Sequence, residues 1–207
     1  MKNKSNFFIS IIFLLLINSN LSYGNELVIK ALTIETFEEG NIIHGTGKAE
    51  ARTPDGLEIF ANKFQYNKNE GLLIASGKVK VIDAKNQVIL NSETIHYTEN
   101  DSKITSYDDT DINIENKYFI KTKNLNYKYT IKELFSKSPT LITDNFRNKI
   151  KTQEFKYFVK DEIIRGKKIH LHDNENNKYF LEDGLIKLKE NILLGKDITV
   201  YFSNKGF

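Results

Sequence analysis

Glu58-Ile59-Phe60-Ala61-Asn62-Lys63-Phe64-Gln65-Tyr66, followed by Leu72-Leu73-Ile74-Ala75-Ser76-Gly77-Lys78-Val79-Lys80-Val81, decides the fold. In the second stretch Leu73, Ala75, Gly77, Val79 and Val81 alternate with Ile74, Ser76, Lys78 and Lys80. A period of two residues is the signature of a strand with one buried face. The first stretch breaks that period once. Ile59 to Ala61 and Phe64 to Tyr66 are even steps, but Ala61 to Phe64 is odd. One flat strand cannot turn both pairs inward, so a bulge or corner is expected near Asn62-Lys63.

The pattern recurs. Ile59, Ala61, Phe64 and Tyr66 are followed by Ile89, Asn91, Ile95 and Tyr97, then Ile120, Thr122, Leu125 and Tyr127, then Ile150, Thr152, Phe155 and Tyr157. The tyrosines are spaced by 31, 30 and 30 residues, and one extra residue between Asn91 and Ile95 absorbs the offset. Ile29, Ala31 and Ile34 form a degenerate copy at one end, with Thr36 in place of Tyr; Phe180 and Leu185 form another, with Lys187 in place of Tyr. Atypical end copies mark a stacked array. The alternating half-motif also recurs, in Gly47, Ala49 and Ala51, in Ile112 and Ile114, in Ile169 and Leu171, and in Ile198 and Val200. Turn residues such as Pro54-Asp55-Gly56, Asn67 to Gly71, Asp83 to Asn86 and Asp173 to Asn177 separate the strands. Ile131 to Ser136 is the best helical candidate, and it is short. The expected architecture is all-β: two strands per copy, about six copies of ~30 residues, folded into two facing sheets joined at repeated corners.

Composition narrows the function classes. The chain has 207 residues, and Lys+Arg 30 against Asp+Glu 27 gives +3. That balance disfavours a nucleic-acid binder, which shows a basic excess or stripe. With no Cys there is no disulfide frame, thiolate metal site or Cys nucleophile. Lys2 and Lys4 precede an apolar run from Phe7 to Ile17, and Ser22-Tyr23-Gly24 places small residues at the ends of a cleavage site. Residues 1–24 read as a secretory signal peptide cut before Asn25, with an uncleaved anchor as the alternative. An exported protein without Cys suits a bacterial periplasm.

Gly47-x-Ala49-Glu50, Asp55-Gly56-x-x-Ile59-x-Ala61-x-x-x-x-Tyr66 and Leu73-x-Ala75-x-Gly77-x-Val79 resemble the organic-solvent-tolerance (OstA-like) domain. That family includes a periplasmic bridge and the N-terminal part of the outer-membrane lipopolysaccharide-assembly protein. The resemblance is best from Gly45 to Tyr97, and Asn191 to Val200 is similar to the segment that leads into the assembly protein's barrel. It implies an elongated β-jellyroll, or β-taco, over residues 25–207, working in the periplasm in association with the outer membrane. The implied ligand is lipopolysaccharide. The implied partners are other OstA-like domains, docked head to tail through terminal strands, and the outer-membrane barrel of the lipopolysaccharide translocon. Leu27 to Ile34 and Asp197 to Phe202 are the docking strands expected here. The resemblance leaves open a free-standing bridge or a piece of the assembly protein.

On that reading the slot is lined by Ile59, Ala61, Phe64, Leu73, Ala75, Val79, Val81, Ile89, Ile95, Ile112, Ile114, Ile120, Leu125 and Phe155. Tyr66, Tyr97, Tyr127 and Tyr157 are expected at its mouth, ring inside and hydroxyl outside. The competing reading of each residue is plain core packing. No enzyme chemistry, cofactor or metal is expected. His170-x-His172 with Asp173 lacks a third ligand, and Asp108-Asp109-x-Asp111 lacks the Gly and distal Glu of a calcium loop. His44 and His96 have no nucleophile motif beside them. Lys167-Lys168 and Lys187-x-Lys189 suit a lipid phosphate or simple solvation. The alternative function is a structural or adhesive repeat protein that binds surface polysaccharide. A glycan hydrolase would need convergent carboxylates, and the acids here are dispersed.

Overall fold

The computed structural model describes residues 27–203, so the expected signal peptide lies outside the described residues. The described chain is all-β and antiparallel, with a single 3-10 turn at Glu38–Gly40. At the N-terminal end come β1 (Val28–Lys30) and β2 (Thr33–Phe37). Four long strands follow: β3 (Ile42–Arg52), β4 (Glu58–Asn67), β5 (Leu72–Asp83) and β6 (Val88–Thr98). In the middle each long strand is split in two, giving β7 (Lys103–Ser106), β8 (Thr110–Ile114), β9 (Tyr118–Thr122), β10 (Asn126–Lys128), β11 (Glu133–Ser136), β12 (Thr140–Asp144), β13 (Lys149–Thr152) and β14 (Glu154–Phe158). The C-terminal end has β15 (Ile163–His172), β16 (Lys178–Lys187), β17 (Ile192–Lys196) and β18 (Thr199–Tyr201).

The pairings sort these strands into two faces. The first runs β1, β3, β4, β5, β6, β8, β9, β12, β13, β15, β16, β18. The second runs β2, β3, β4, β5, β6, β7, β10, β11, β14, β15, β16, β17. The long strands belong to both, one half to each. Their registers slip where they cross over: between Thr46 and Ala49, between Phe60 and Lys63, and between Ser76 and Val79. The corner expected at Asn62-Lys63 is therefore present, and its cause is the odd step in the apolar spacing. The result is a folded-over slot, the β-taco.

Small and hydroxyl residues occupy the inside of the corner. Ala49, Ala61 and Ala75 are buried there, and Ser92, Ser106, Thr110, Thr122, Ser136, Thr140 and Thr152 continue the row. A bulge frees ladder groups that must find other partners. The hydroxyls supply them. Ser106 and Thr110 lie 2.6 Å apart, Thr122 and Thr140 2.7 Å; Ser136 donates to the Lys123 carbonyl at 2.6 Å and Thr152 to the Glu154 carbonyl at 2.7 Å. On the outside of the corner Gly77 has φ +80, and a Cβ there would meet Asn62 Nδ2 at 2.7 Å.

Two expectations are corrected. Ile131 to Ser136 is not helical: β11 pairs with β10 and β14, with Leu134 and Ser136 turned inward. Six residues cannot sustain a helix alone, whereas the neighbouring strands offer every backbone partner. The second correction concerns phase. In β6 the inward residues are Val88, Leu90, Ser92, Ile95 and Tyr97, while Ile89 is half-buried on the outer side and Asn91 is exposed. Leu90, Ser92, Ile95 and Tyr97 repeat the two-three-two spacing of Ile59, Ala61, Phe64 and Tyr66 with no extra residue. Likewise Leu181, Gly184 and Ile186 face inward at the end of the array, where Phe180, Leu185 and Lys187 had been expected.

Candidate functional site: the space between the two faces

The interior is one continuous apolar cluster from Ala49 to Ile186. Ile59, Phe64, Leu73, Ala75, Val79, Val81, Ile95, Ile112, Ile114, Ile120, Leu125 and Phe155 all sit in it at 2% exposure or less, and Ala61 at 7%. Each large aliphatic or aromatic side chain there adds about 1.5–3 kcal/mol by leaving water. Ile89 alone of the expected lining residues turns away, pairing with Ile82 and Asn113 on the outer side of the first face.

The tyrosines are placed differently from the expectation. Tyr97, Tyr127 and Tyr157 are at 1%, 0% and 1% exposure, so their hydroxyls do not reach solvent. Burial raises the pKa of all three, and a bond to Asp83 raises that of Tyr127 further. Tyr66 is buried too and donates to Glu99 Oε1 at 3.0 Å on its own face. The physical reason is that the rims of the two faces meet. Tyr127 on the second face donates to Asp83 Oδ2 on the first at 2.6 Å. Asn86 donates from Nδ2 to Asp83 Oδ2 at 2.6 Å and to the Tyr129 carbonyl at 3.0 Å. Tyr129 donates to Asp55 Oδ2 at 3.1 Å and stacks on Tyr97, centroids 6.3 Å apart. Further on, Tyr118 of the first face donates to Glu162 Oε2 at 3.0 Å, and Lys117 does so at 2.8 Å. The mouth is thus tied shut from Asp55 to Glu162, and the tyrosine rings fill the space beneath.

Beyond Glu162 the faces part. A cavity of about 780 Å³ opens there between them. Ile142, Ile150, Leu171 and Tyr179 of the first face, with Ile186 and Leu193 of the second, line it. Its volume lies within the range of about 300–1,000 Å³ typical of ligand sites. The rim carries Lys117, Lys187 and Lys189 together with Asp144, Glu162 and Asp173. Lys117 and Lys189 face Glu162 at 2.8 and 3.5 Å, and Lys187 faces Glu190 at 2.9 Å. Burial pushes the Glu162 carboxyl up, but the bonds from Lys117 and Tyr118 and the charges of Lys117 and Lys189 outweigh it, so its pKa is lowered. The rim therefore holds both signs of charge rather than the plain cation pair suggested by Lys187-x-Lys189. Ile142, Tyr179, Ile186 and Leu193 were not singled out in the sequence. The two-three-two spacing of Tyr179, Leu181, Gly184 and Ile186 would have found two of them.

The remaining candidates resolve into surface structure. His170 packs edge-on against Phe180, with centroids 4.8 Å apart. Asp109 and Asp111 pair with Lys123 and Lys121. His96 packs against Tyr107, and burial lowers its pKa. His44 lies against Phe37, its Nε2 buried without a partner. Lys167 pairs with Glu154, and Lys168, at φ +50, makes the corner of β15. Among the described residues no three His, Cys, Asp or Glu side chains are grouped to hold a metal ion, and no helix is long and apolar enough to cross a membrane.

No family model matches the chain. No curated protein matches it either. Among solved structures it is similar to the crystal structure of LptH, the LptA-homologous periplasmic component of the lipopolysaccharide transport device from Pseudomonas aeruginosa. The likeness covers 86% of this chain and 96% of that one, at 10% identity and a TM-score of 0.26. An overlay at that level fixes neither fold nor function, which rest on the residues themselves.

Proposed function

We propose that the chain is an exported slot protein that holds the acyl chains of a lipopolysaccharide-type glycolipid between its two faces. The apolar cavity at the open C-terminal end of the slot carries this reading. It continues the packed interior, has walls from both faces and meets water through a charged rim. That is the shape of a site for an amphiphile. The need is energetic: a ~12-carbon chain left in water costs on the order of 10 kcal/mol, at about 0.8 kcal/mol per CH₂. The motifs from Gly45 to Tyr97 that resemble the OstA-like domain point the same way. On this reading the protein binds and passes on its ligand without chemistry, in the periplasm near the outer membrane. It hands the lipid to similar domains, or to an outer-membrane barrel, through its terminal strands. Among the described residues β1 and β2 pair only with β3, and β17 and β18 only with β16, so each has one edge with no strand beside it there. Apolar residues are exposed on those edges, among them Ile34 at 48%, Leu194 at 51% and Val200 at 36%.

Photo-crosslinking tests the reading. A benzophenone side chain is placed at Leu193, inside the cavity, or at Leu194, exposed on the outer side of β17. A glycolipid adduct at Leu193 and none at Leu194 is the expected result. No adduct at either, in folded protein, would sink it. That outcome favours a structural repeat protein, a reading supported by the dense packing between Ile59 and Phe155.

A further inference from the structure

The outer side of the first face is not uniform. Two rungs of residues cross it, in register from strand to strand. Near the N-terminal end acids and bases alternate along them: Lys30 faces Glu50, Arg52 is bonded to Glu58, and Asp111 is paired with Lys121. From β9 to β18 the composition changes. One rung reads Lys121, Leu141, Lys151, His170, Phe180. The next reads Phe119, Thr143, Lys149, His172, Lys178, Tyr201. Neither contains an acid over that span; Asp111 continues the first rung beyond Lys121, and Glu182 and Asp197 border Phe180. Lys149, Lys151, His170, His172 and Lys178 are exposed, and among the described residues no ion pair engages Lys149, Lys151 or Lys178. Phe119 is 40% exposed, and Tyr201 60%. Strands lie about 4.8 Å apart, so this platform extends roughly 24 Å across. The second face differs: there Lys156 is paired with Glu133 and Lys167 with Glu154.

We propose that this platform docks on an anionic lipid bilayer, lying flat against the head groups. Charge complementarity selects the occupant. The cations are spread over a broad surface instead of converging on one phosphate. The aromatic rings among them suit the interfacial zone, where amphipathic rings sit beside polar head groups. A flat sheet offers no helix or ribbon to enter a duplex groove. The inference stands apart from the slot, since its residues point away from the interior.

The test is flotation of the purified protein with vesicles of phosphatidylcholine alone or mixed with phosphatidylglycerol, with heparin as a soluble polyanion for comparison. Binding to the mixed vesicles, weakened by salt, is expected. Each lysine lost near an anionic surface weakens binding roughly fivefold, so joint Lys149→Glu, Lys151→Glu and Lys178→Glu should lower it by about a hundredfold or more. The same charge change at Lys63, Lys80 and Lys128, exposed outside the platform, should cost far less. The protein has no Trp, so Phe119→Trp gives a single reporter. Its emission should shift to the blue with the mixed vesicles and not with heparin. Circular dichroism confirms that each variant is folded. Equal binding to phosphatidylcholine alone would overturn the proposal. Equal losses in the two triple variants would do so too, as would heparin binding without vesicle binding.

Discussion

Tyr127 and Asp83 lie on opposite faces of the slot and close it, the tyrosine hydroxyl donating to the carboxylate at 2.6 Å. They are 44 residues apart in the chain and both buried. This bond, with Asn86 and Tyr129 beside it, makes the central slot a packed interior and leaves its C-terminal end as the open part. If a lipid is to travel the full length, these ties must part.

Tyr127→Phe leaves Asp83 with one partner fewer in a buried place. The expected cost is about 1–3 kcal/mol in chemical denaturation. If the bond also holds the mouth closed, amide exchange should quicken at Asn86 and Tyr129 more than at the corner. Uniform exchange throughout would show that the tie is not local.

The Glu162 cluster sets a pH dependence. Its pKa is lower in the folded protein than in the unfolded chain, so the unfolded chain binds more protons as the carboxyl titrates. The stabilisation is present above the ordinary carboxylate value and is lost as pH falls through the lowered folded value. Melting temperature should therefore drop below about pH 4.5. Glu162→Gln should flatten that part of the curve. Asp173, which accepts bonds from Asn177, Glu175 and Tyr179, is lowered likewise and adds to the fall in the variant.

Gly77 and Gly56 separate backbone strain from crowding. Both have positive φ, but a Cβ at Gly56 meets nothing within 4 Å, whereas at Gly77 it strikes Asn62. Gly56→Ala should cost about 1 kcal/mol of strain alone. Gly77→Ala should cost more, and Asn62→Ala in the same chain should recover part of the difference, because the Asn62 Cβ at 2.9 Å stays in place. Equal losses in the two single variants would show that crowding at the corner is negligible.

Thr122→Val keeps the shape of the corner and removes its 2.7 Å bond to Thr140. A loss of about 1 kcal/mol is expected in thermal melts, from one hydrogen bond removed, because the Thr140 hydroxyl still donates to the Ser138 carbonyl at 2.9 Å. Replacing both threonines by Val should cost less than the sum of the two single changes.

Proline at Val28 or Val200 removes a backbone donor from a strand that, among the described residues, borders only one neighbour. Pull-down of a similar domain, or of a second copy, should weaken while the melting curve holds. Unchanged capture would count against docking through these edges.

Spacing in the chain alone determined that this protein is a stack of two-strand units with a corner in each. Period two can only be a half-buried strand, and the odd step from Ala61 to Phe64 can only be absorbed by a bulge. Thirteen of the fourteen expected interior residues follow from that pattern without knowledge of the second face. In Val88-Ile89-Leu90 all three residues are apolar, so hydrophobicity does not tell the inner side from the outer, and the structure turns Ile89 outward. Only the tertiary structure decided that Tyr127 and Tyr118 tie the rims, because Asp83 and Glu162 reach them from the opposite face. It alone decided that the slot is shut at Asp55 to Glu162 and open beyond. It also decided that Lys149, Lys151 and Lys178, scattered along the chain, stand on one side of one face. Periodicity is a property of neighbours in sequence, and strand register brings together residues that sequence keeps apart.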